Sequence, residues 1–179
     1  LTKCGLGLLD IDEYLFNWKF ETTLFKKLDD QQRAAARVYM LDGFNFAEKD
    51  LFSKSDPYLV LKCGNKAYNE RKNYQLDTSE PRFFKSYDFM EQFPGASVLR
   101  IEAYDYDDFF GDDLIGVTKI DFDDRFFNKE WISIYDKPIE TRQLYHKSTT
   151  ISQGAVRLWC EIHNVDSRKF EKPPLDVTP

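Results

Sequence analysis

Cysteine, histidine and long apolar runs are scarce in this chain of 179 residues, and each scarcity excludes a class of protein. The 3 cysteines, Cys4, Cys63 and Cys160, are an odd number and lie far apart, so neither a disulfide framework nor a cysteine metal centre is indicated. A reducing compartment is therefore expected. No apolar run is long enough to span a bilayer, and no signal peptide is recognisable.

Catalytic motifs are missing as well. The sequence contains no glycine-rich phosphate loop, no nucleophile elbow and no cysteine–histidine spacing, so we expect that the chain is not an enzyme. The histidines His146 and His163 stand alone, which favours structural roles. Paired carboxylates leave a hydrolase as an alternative. Because the chain begins with Leu1 rather than Met, we expect a fragment of a larger protein. Whether that protein carries a membrane anchor elsewhere is left open.

Acidic and aromatic residues are abundant. The formal net charge of −6 repels nucleic acid, so no nucleic-acid partner is expected. The same charge repels an anionic membrane unless something neutralises it. Hydrophobic residues make up 42% and aromatic residues 16% of the chain, which is enough for a packed core and favours strands.

Apolar residues alternate in about seven or eight short segments, spaced about ten residues apart, from Ala36 onward. The clearest are residues 37–41, 57–63, 97–104 and 154–162, with a hairpin signal at Gly64-Asn65. The spacing favours an antiparallel sandwich or barrel over parallel βαβ units. Residues 121–152 are expected to form an irregular connection, with a short helix near 123–128.

This pattern predicts three regions. Residues 1–33 are an N-terminal flank or linker, residues 34–165 the main domain, and residues 166–179 a C-terminal linker that contains Pro173 and Pro174.

Two acidic loops carry the expected chemistry. The first loop contains Asp50 and Asp56, and the second contains Asp105, Asp107 and Asp113. If the loops meet at one end of the sandwich, each pair of carboxylates about 5 Å apart would repel by about 3 kcal/mol at an effective dielectric of about 20. Calcium tolerates irregular coordination by oxygen, whereas magnesium demands an octahedron. We therefore predict a calcium site.

Bulky apolar residues occupy the tips of both loops. They are Leu51, Phe52, Phe109 and Phe110. Fully burying one such side chain is worth about 1.5–3 kcal/mol, so partial insertion of all of them would support binding to a lipid interface. Folding back onto the sandwich is the alternative.

A group of basic residues follows the expected hairpin. Lys62, Lys66, Arg71 and Lys72 either bind phosphoinositide head groups on a concave face or belong to a solvated hairpin. Glu70 interrupts the group, which supports the second interpretation.

Three motifs in this order resemble C2 domains. They are Asp50-x5-Asp56 before Pro57-Tyr58, Thr78-x-x-Pro81-x-Phe83, and the third calcium loop from Tyr104 to Gly116. The resemblance implies an eight-stranded antiparallel C2-type β-sandwich, here with an irregular N-terminal extension. The closing strand 154–162 comes last, which implies the type II topology.

The resemblance also implies a function. The five aspartates of the two loops would bridge about two or three calcium ions, and Leu51, Phe52 and Phe109 would insert into an anionic phospholipid membrane on its cytoplasmic face. Phe110 departs from the family, where many members carry a polar residue. Segments 71–74 and 119–125 are similar to the ferlins, large tail-anchored proteins of vesicle fusion and membrane repair. A calcium-independent structural module that binds other domains of the parent chain is the second hypothesis.

Overall fold

The computed structural model of the protein describes residues 31–48, 54–95, 97–108, 111–165 and 174–178. Its strands are β1 Gln32–Phe44, β2 Pro57–Cys63, β3 Lys66–Asn69, β4 Arg82–Phe93, β5 Val98–Asp105, β6 Asp113–Asp121, β7 Glu140–Tyr145 and β8 Ser152–Asn164. Its helices are a 3₁₀ turn at Arg71–Asn73, α1 at Asp123–Phe126 and α2 at Lys129–Ser133. Among these residues, no helix has the length and apolar character needed to cross a membrane.

The strands follow the order β3-β2-β5-β6-β7-β8-β1-β4, and the recorded pairings are antiparallel. The contact between β6 and β7 is weak, because its register contains the single pair Val117 and Tyr145. At this seam the chain passes from the layer β3-β2-β5-β6 to the layer β7-β8-β1-β4.

One apolar cluster fills the space between the layers. Side chains from both layers are fully buried in it, among them Met40, Leu59, Phe89, Ile101 and Leu158. The alternation predicted for β5 and β8 is confirmed, since every second residue along the middle of each strand is buried in the cluster. A single core with strands on both sides is the arrangement of a β-sandwich.

Several local predictions are confirmed and one is wrong. The hairpin turn at Gly64-Asn65 is present, and α1 begins at the residue expected for the short helix. The connection 121–152 is not irregular throughout, because Glu140–Tyr145 forms β7. Only Leu144 of this strand is buried, so the sequence lacks the alternation that marks a strand, and pairing with β8 forms the strand instead.

The predicted boundaries are only partly within the described residues. A compact unit begins at Arg33, and residues 1–30 of the predicted flank lie outside the described part of the chain. Within the predicted C-terminal linker, the backbone N–H of Leu175 donates to the hydroxyl of Tyr39 on β1, at 3.3 Å. The division into flank, domain and linker stays a prediction.

Arg37 on β1 is a charged residue in an otherwise apolar stretch. Its side chain is only 7% exposed, and its guanidinium donates to both carboxylate oxygens of Asp88 on β4, at 2.7 and 2.9 Å. The Asp88 hydrogen bond raises the pKa of Arg37 further above its ordinary value, while burial opposes that rise. This pair joins β1 to its neighbour β4, the last strand of the layer β7-β8-β1-β4.

We expect Asp88→Ala to lower the free energy of unfolding by about 2–3 kcal/mol, because Arg37 would stay buried without its carboxylate partner. Asp42→Ala removes the partner of Arg157, whose side chain is 49% exposed, and should cost less than about 1 kcal/mol. Urea unfolding followed by circular dichroism measures both. Equal losses for the two variants would show that burial of Arg37 does not govern the effect.

Candidate functional site

The two acidic loops lie at one end of the sandwich. The strand register places Asp105, the last residue of β5, opposite Pro57 at the start of β2 and opposite Asp113 at the start of β6. Because the strands are antiparallel, the connections after β1, β3, β5 and β7 all fall at this end. We call residues 45–48, 54–56, 70–81, 105–108, 111–113 and 146–151 the acidic end.

A direct contact joins the loops. The backbone N–H of Asp56 donates to Oδ1 of Asp105 at 2.6 Å, and the N–H of Tyr106 donates to the carbonyl of Asp56 at 3.0 Å. Asp105 is only 5% exposed, so its carboxylate is held in the gap between the two strand ends. Opposed residues of an antiparallel pair have Cα atoms about 4.5–5.5 Å apart, so Asp113 lies beside Asp105.

Asp77 completes the link on the other side of Asp56. Its N–H donates to Oδ1 of Asp56 at 2.7 Å, and its own Oδ1 accepts the N–H of Lys54 at 2.9 Å. The residue has φ 47°, a backbone conformation that aspartate tolerates better than most side chains do. Sequence reasoning missed Asp77, because an isolated aspartate before Thr78 gives no signal of its own.

Asp112 plays a different part from its neighbour Asp113. Its Oδ2 accepts hydrogen bonds from Arg71 Nε and from the Tyr58 hydroxyl, both at 2.6 Å. Its Oδ1 accepts hydrogen bonds from Arg71 Nη2 at 2.9 Å and from the N–H of Asp107 at 3.0 Å. Both oxygens are therefore occupied by protein donors, and we call this group of contacts the Asp112 latch.

Within the Asp112 latch, the positive charge of Arg71 balances the negative charge of Asp112. The Arg71 guanidinium, helped by Tyr58 and the Asp107 N–H, lowers the pKa of Asp112 to about 2. Arg71 also lies 4.3 Å from the centre of the Tyr106 ring, which stacks on Tyr74 at 3.9 Å. These contacts fasten the 3₁₀ turn to the second acidic loop.

The donors at this end fit a hard cation in their chemistry. Asp56, Asp105, Asp107 and Asp113 offer only oxygen, which calcium prefers. Within the described residues, however, no three acidic, histidine or cysteine side chains are grouped so that they could hold an ion. Asp50, the remaining predicted ligand, lies outside the described residues.

The predicted insertion residues, Leu51, Phe52, Phe109 and Phe110, also lie outside the described part of the chain. The acidic end nevertheless shows apolar side chains that the sequence analysis overlooked. Leu76 is 72% exposed and Ile151 is 73% exposed. Neither belongs to an aromatic pair or an alternating segment, so no pattern in the sequence singled them out.

The four residues of the predicted basic group differ in their contacts. Lys62 pairs at 2.9 Å with Glu102, a residue that is 4% exposed and also pairs with Arg100. Although burial opposes it, the hydrogen bonds from Lys62 and Arg100 lower the pKa of Glu102. Arg71 is engaged in the Asp112 latch. Lys66 lies 4.9 Å from the centre of the Tyr68 ring, and Lys72 is exposed on the 3₁₀ turn.

Known proteins with similar sequences carry the same domain. The family model for the C2 domain matches residues 35–136. Over 107 residues, the chain is 32% identical to the myoferlins of Mus musculus and Homo sapiens. The aligned region covers 59% of this chain and 5% of each relative. The chain therefore spans a small fraction of the length of these relatives.

Solved structures show the same fold. A C2 domain of a plant extended synaptotagmin 1 superposes with a TM-score of 0.58 at 13% identity, covering 75% of this chain and 97% of that one. The calcium-bound pair of C2 domains of extended synaptotagmin 2 gives 0.61 at 22% identity, with coverage of 74% and 46%. The predicted C2-type sandwich and the resemblance to C2 domains and ferlins are confirmed.

We expect Arg71→Gln to raise the pKa of Asp112 from about 2 towards the ordinary value of about 3.9, because the strongest donor to its carboxylate is lost. Since the folded-state pKa lies below the unfolded one, the latch stabilises the fold fully above pH about 4, and its contribution disappears as the pH falls towards 2. Titration of the Asp112 carboxyl carbon by NMR measures the shift. Lys72→Gln is the control and should leave the midpoint unchanged.

Proposed function

The chain belongs to the C2 domain family, and from this premise we propose that it is a calcium-dependent, phospholipid-binding module of a larger ferlin-like protein of membrane trafficking. The observation that carries the proposal is the 2.6 Å contact from Asp56 to Asp105, which joins the two acidic loops. A similar solved structure, that of the extended synaptotagmin 2 C2 domains, is described as calcium bound. The module itself is proposed to be non-enzymatic.

The different contacts of the adjacent residues Asp112 and Asp113 support the proposed set of calcium ligands. Asp112 already receives four hydrogen bonds from protein donors, whereas Asp113 is exposed and lies opposite Asp105 in the register. We therefore assign the ligand role to Asp113, together with Asp50, Asp56, Asp105 and Asp107. A bound calcium ion would bring positive charge to these carboxylates.

Charge neutralisation is the proposed switch for membrane binding. Without a cation, the carboxylates of the acidic end repel the anionic lipids of a cytoplasmic membrane face. Once they are neutralised, the apolar tips Leu51, Phe52, Phe109 and Phe110 can enter the interface, and the exposed Leu76 adds to them. Of the predicted head-group residues, Lys66 and Lys72 are the better candidates, since Lys62 and Arg71 are engaged in ion pairs.

We expect the protein to sediment with vesicles of phosphatidylserine and phosphatidylcholine in calcium but not in a chelator. Asp105→Asn keeps the shape of the side chain but removes one charge, so it should raise the calcium concentration needed by about tenfold or more, equivalent to at least about 1.4 kcal/mol. Asp124→Asn makes the same change of charge on α1, at the opposite end, and should behave like the wild type.

Equal sedimentation with and without calcium would contradict the proposed switch. Calorimetry without vesicles distinguishes the proposed membrane module from a module that binds other protein domains. Heat of calcium binding that depends on Asp105, with no vesicle binding, would instead identify a module that contacts other protein domains.

A further inference from the structure

The turn between β7 and β8, residues 146–151, carries three consecutive hydroxyl side chains, those of Ser148, Thr149 and Thr150. Ser148 Oγ lies 2.6 Å from Nδ1 of His146, and Thr149 Oγ1 accepts a backbone N–H at 3.1 Å. Thr150 is exposed and makes no hydrogen bond to another residue that the structure describes. Of the three hydroxyls, that of Thr150 is therefore the one that an external reactant reaches without breaking a side-chain contact.

The residues around Thr150 are basic and apolar rather than acidic. Lys147 stands three residues before it, Ile151 follows it directly, and no aspartate or glutamate occurs from position 147 to position 153. Lys147 is exposed, and Ile151 is 73% exposed. Among the serines and threonines of the described residues, Thr150 alone has a lysine or arginine three positions before it. A cation before the hydroxyl and an apolar side chain after it form the kind of pattern by which basophilic serine/threonine kinases select a substrate.

Weak local contacts allow the β7–β8 turn to adapt to an enzyme cleft. The N–H of Ile151 donates to Thr149 Oγ1, and its carbonyl accepts Nε2 of Gln153, both at 3.1 Å and both in an exposed position. Exposed hydrogen bonds exchange for bonds to water at little net cost. The turn can therefore open around Thr150 while the ladder between β7 and β8 stays paired.

The β7–β8 turn lies against the first acidic loop. Just after the turn, the carbonyl of Gln153 accepts the N–H of Ala47 at 3.0 Å. The carbonyl of Ala47 accepts the hydroxyl of Ser55 at 2.9 Å, and Ser55 directly precedes the proposed ligand Asp56. Thr150 therefore belongs to the end of the sandwich that is proposed to meet the membrane.

A phosphate on Thr150 would reverse the charge of the turn. With histidine counted as neutral, Lys147 is the one charged residue of positions 146–151, so the turn carries a formal charge of +1 at pH 7. A phosphothreonine adds about −1.5 to −2, which leaves the turn at about −0.5 to −1. Because the acidic end must approach anionic lipid, this charge opposes docking even when calcium neutralises the aspartates.

We infer that Thr150 is a phosphorylation site for a basophilic serine/threonine kinase, and that its phosphate releases the acidic end from anionic membranes. This inference rests on the proposed function, because the acidic end must dock on lipid for the phosphate to oppose it. In the reaction, Thr150 Oγ1 bonds to the γ-phosphorus of ATP, and the bond from that phosphorus to the bridging oxygen breaks. ADP leaves with the bonding electrons, and the hydroxyl proton passes to the carboxylate base of the kinase.

Mapping of the phosphate by tandem mass spectrometry tests the site. After incubation with ATP and the catalytic subunit of cyclic-AMP-dependent protein kinase, we expect phosphate on Thr150 and none on Ser148 or Thr149. Lys147→Gln should lower the rate by about tenfold or more, because the cation that the kinase binds is lost. Lys129→Gln removes an exposed charge at the opposite end and should leave the rate unchanged.

A second hydroxyl with a lysine three positions before it lies outside the described residues, since Thr22 follows Lys19. The vesicle measurements therefore use the Thr22→Val protein, in which a phosphate on Thr150 is measured without this competing site.

Vesicle sedimentation in calcium tests the effect of the phosphate. The phosphorylated protein should bind vesicles of phosphatidylserine and phosphatidylcholine about 10- to 25-fold more weakly, about five-fold for each unit of charge. Thr150→Glu adds one charge and should weaken binding about five-fold, whereas Thr150→Val should bind like the unmodified protein. Ser133→Glu adds the same charge on α2, at the opposite end, and should change binding less than about twofold.

Calorimetry without vesicles separates an effect of charge from damage to the loops. Phosphorylation of Thr150 should leave the calcium affinity equal or slightly higher, because an added negative charge attracts the ion. A distorted loop would instead lower the calcium affinity together with vesicle binding.

The outcomes separate this inference from the proposed function. Phosphate confined to other hydroxyls, or equal vesicle binding by the phosphorylated and unmodified proteins, would overturn the inference while the calcium response stands. A fall in calcium affinity on phosphorylation would overturn repulsion of the membrane as the mechanism. If the unmodified protein fails to bind vesicles in calcium, the proposed function and the release both fall, and the mass spectrum alone decides whether Thr150 is the site.

Discussion

The carboxylate of Asp105 is the constraint on which the acidic end depends. It is 5% exposed, accepts the N–H of Asp56 and lies in register with Asp113, so it fixes the ends of three neighbouring strands relative to one another. The position of the acidic residues therefore follows from the β-ladder rather than from the preferences of the loops. A slip of one residue in β5 would turn the alternating side chains to the other face and separate the cluster from its donors.

Carboxylates at the acidic end are balanced in two ways. Asp112 is neutralised within the protein by Arg71, and this pair ties the second acidic loop to the 3₁₀ turn. Asp56 instead accepts the backbone N–H of Asp77, and a donor of this kind offsets part of a negative charge but does not cancel it. The Arg71 cation stabilises the second acidic loop, whereas the backbone donor to Asp56 leaves part of that negative charge unbalanced.

Much of the fold could be predicted from sequence, because β5 and β8 alternate cleanly and the two acidic loops have fixed spacings. β7 could not, since Leu144 alone of its residues is buried and the strand forms through its neighbours. Nor could the sequence separate Asp112 from Asp113, because the difference arises from contacts with Arg71 and Tyr58, which are distant in the chain. Side-chain partners of this kind depend on tertiary placement, which local patterns do not encode.

Strand order determines where the first and the last described strands lie relative to the acidic end. β8 is the last strand and pairs with β1, and Ala34 lies opposite Asn164 at the other end of the sandwich. The described strands therefore begin and finish away from the acidic end, and every connection there is a closed loop or turn.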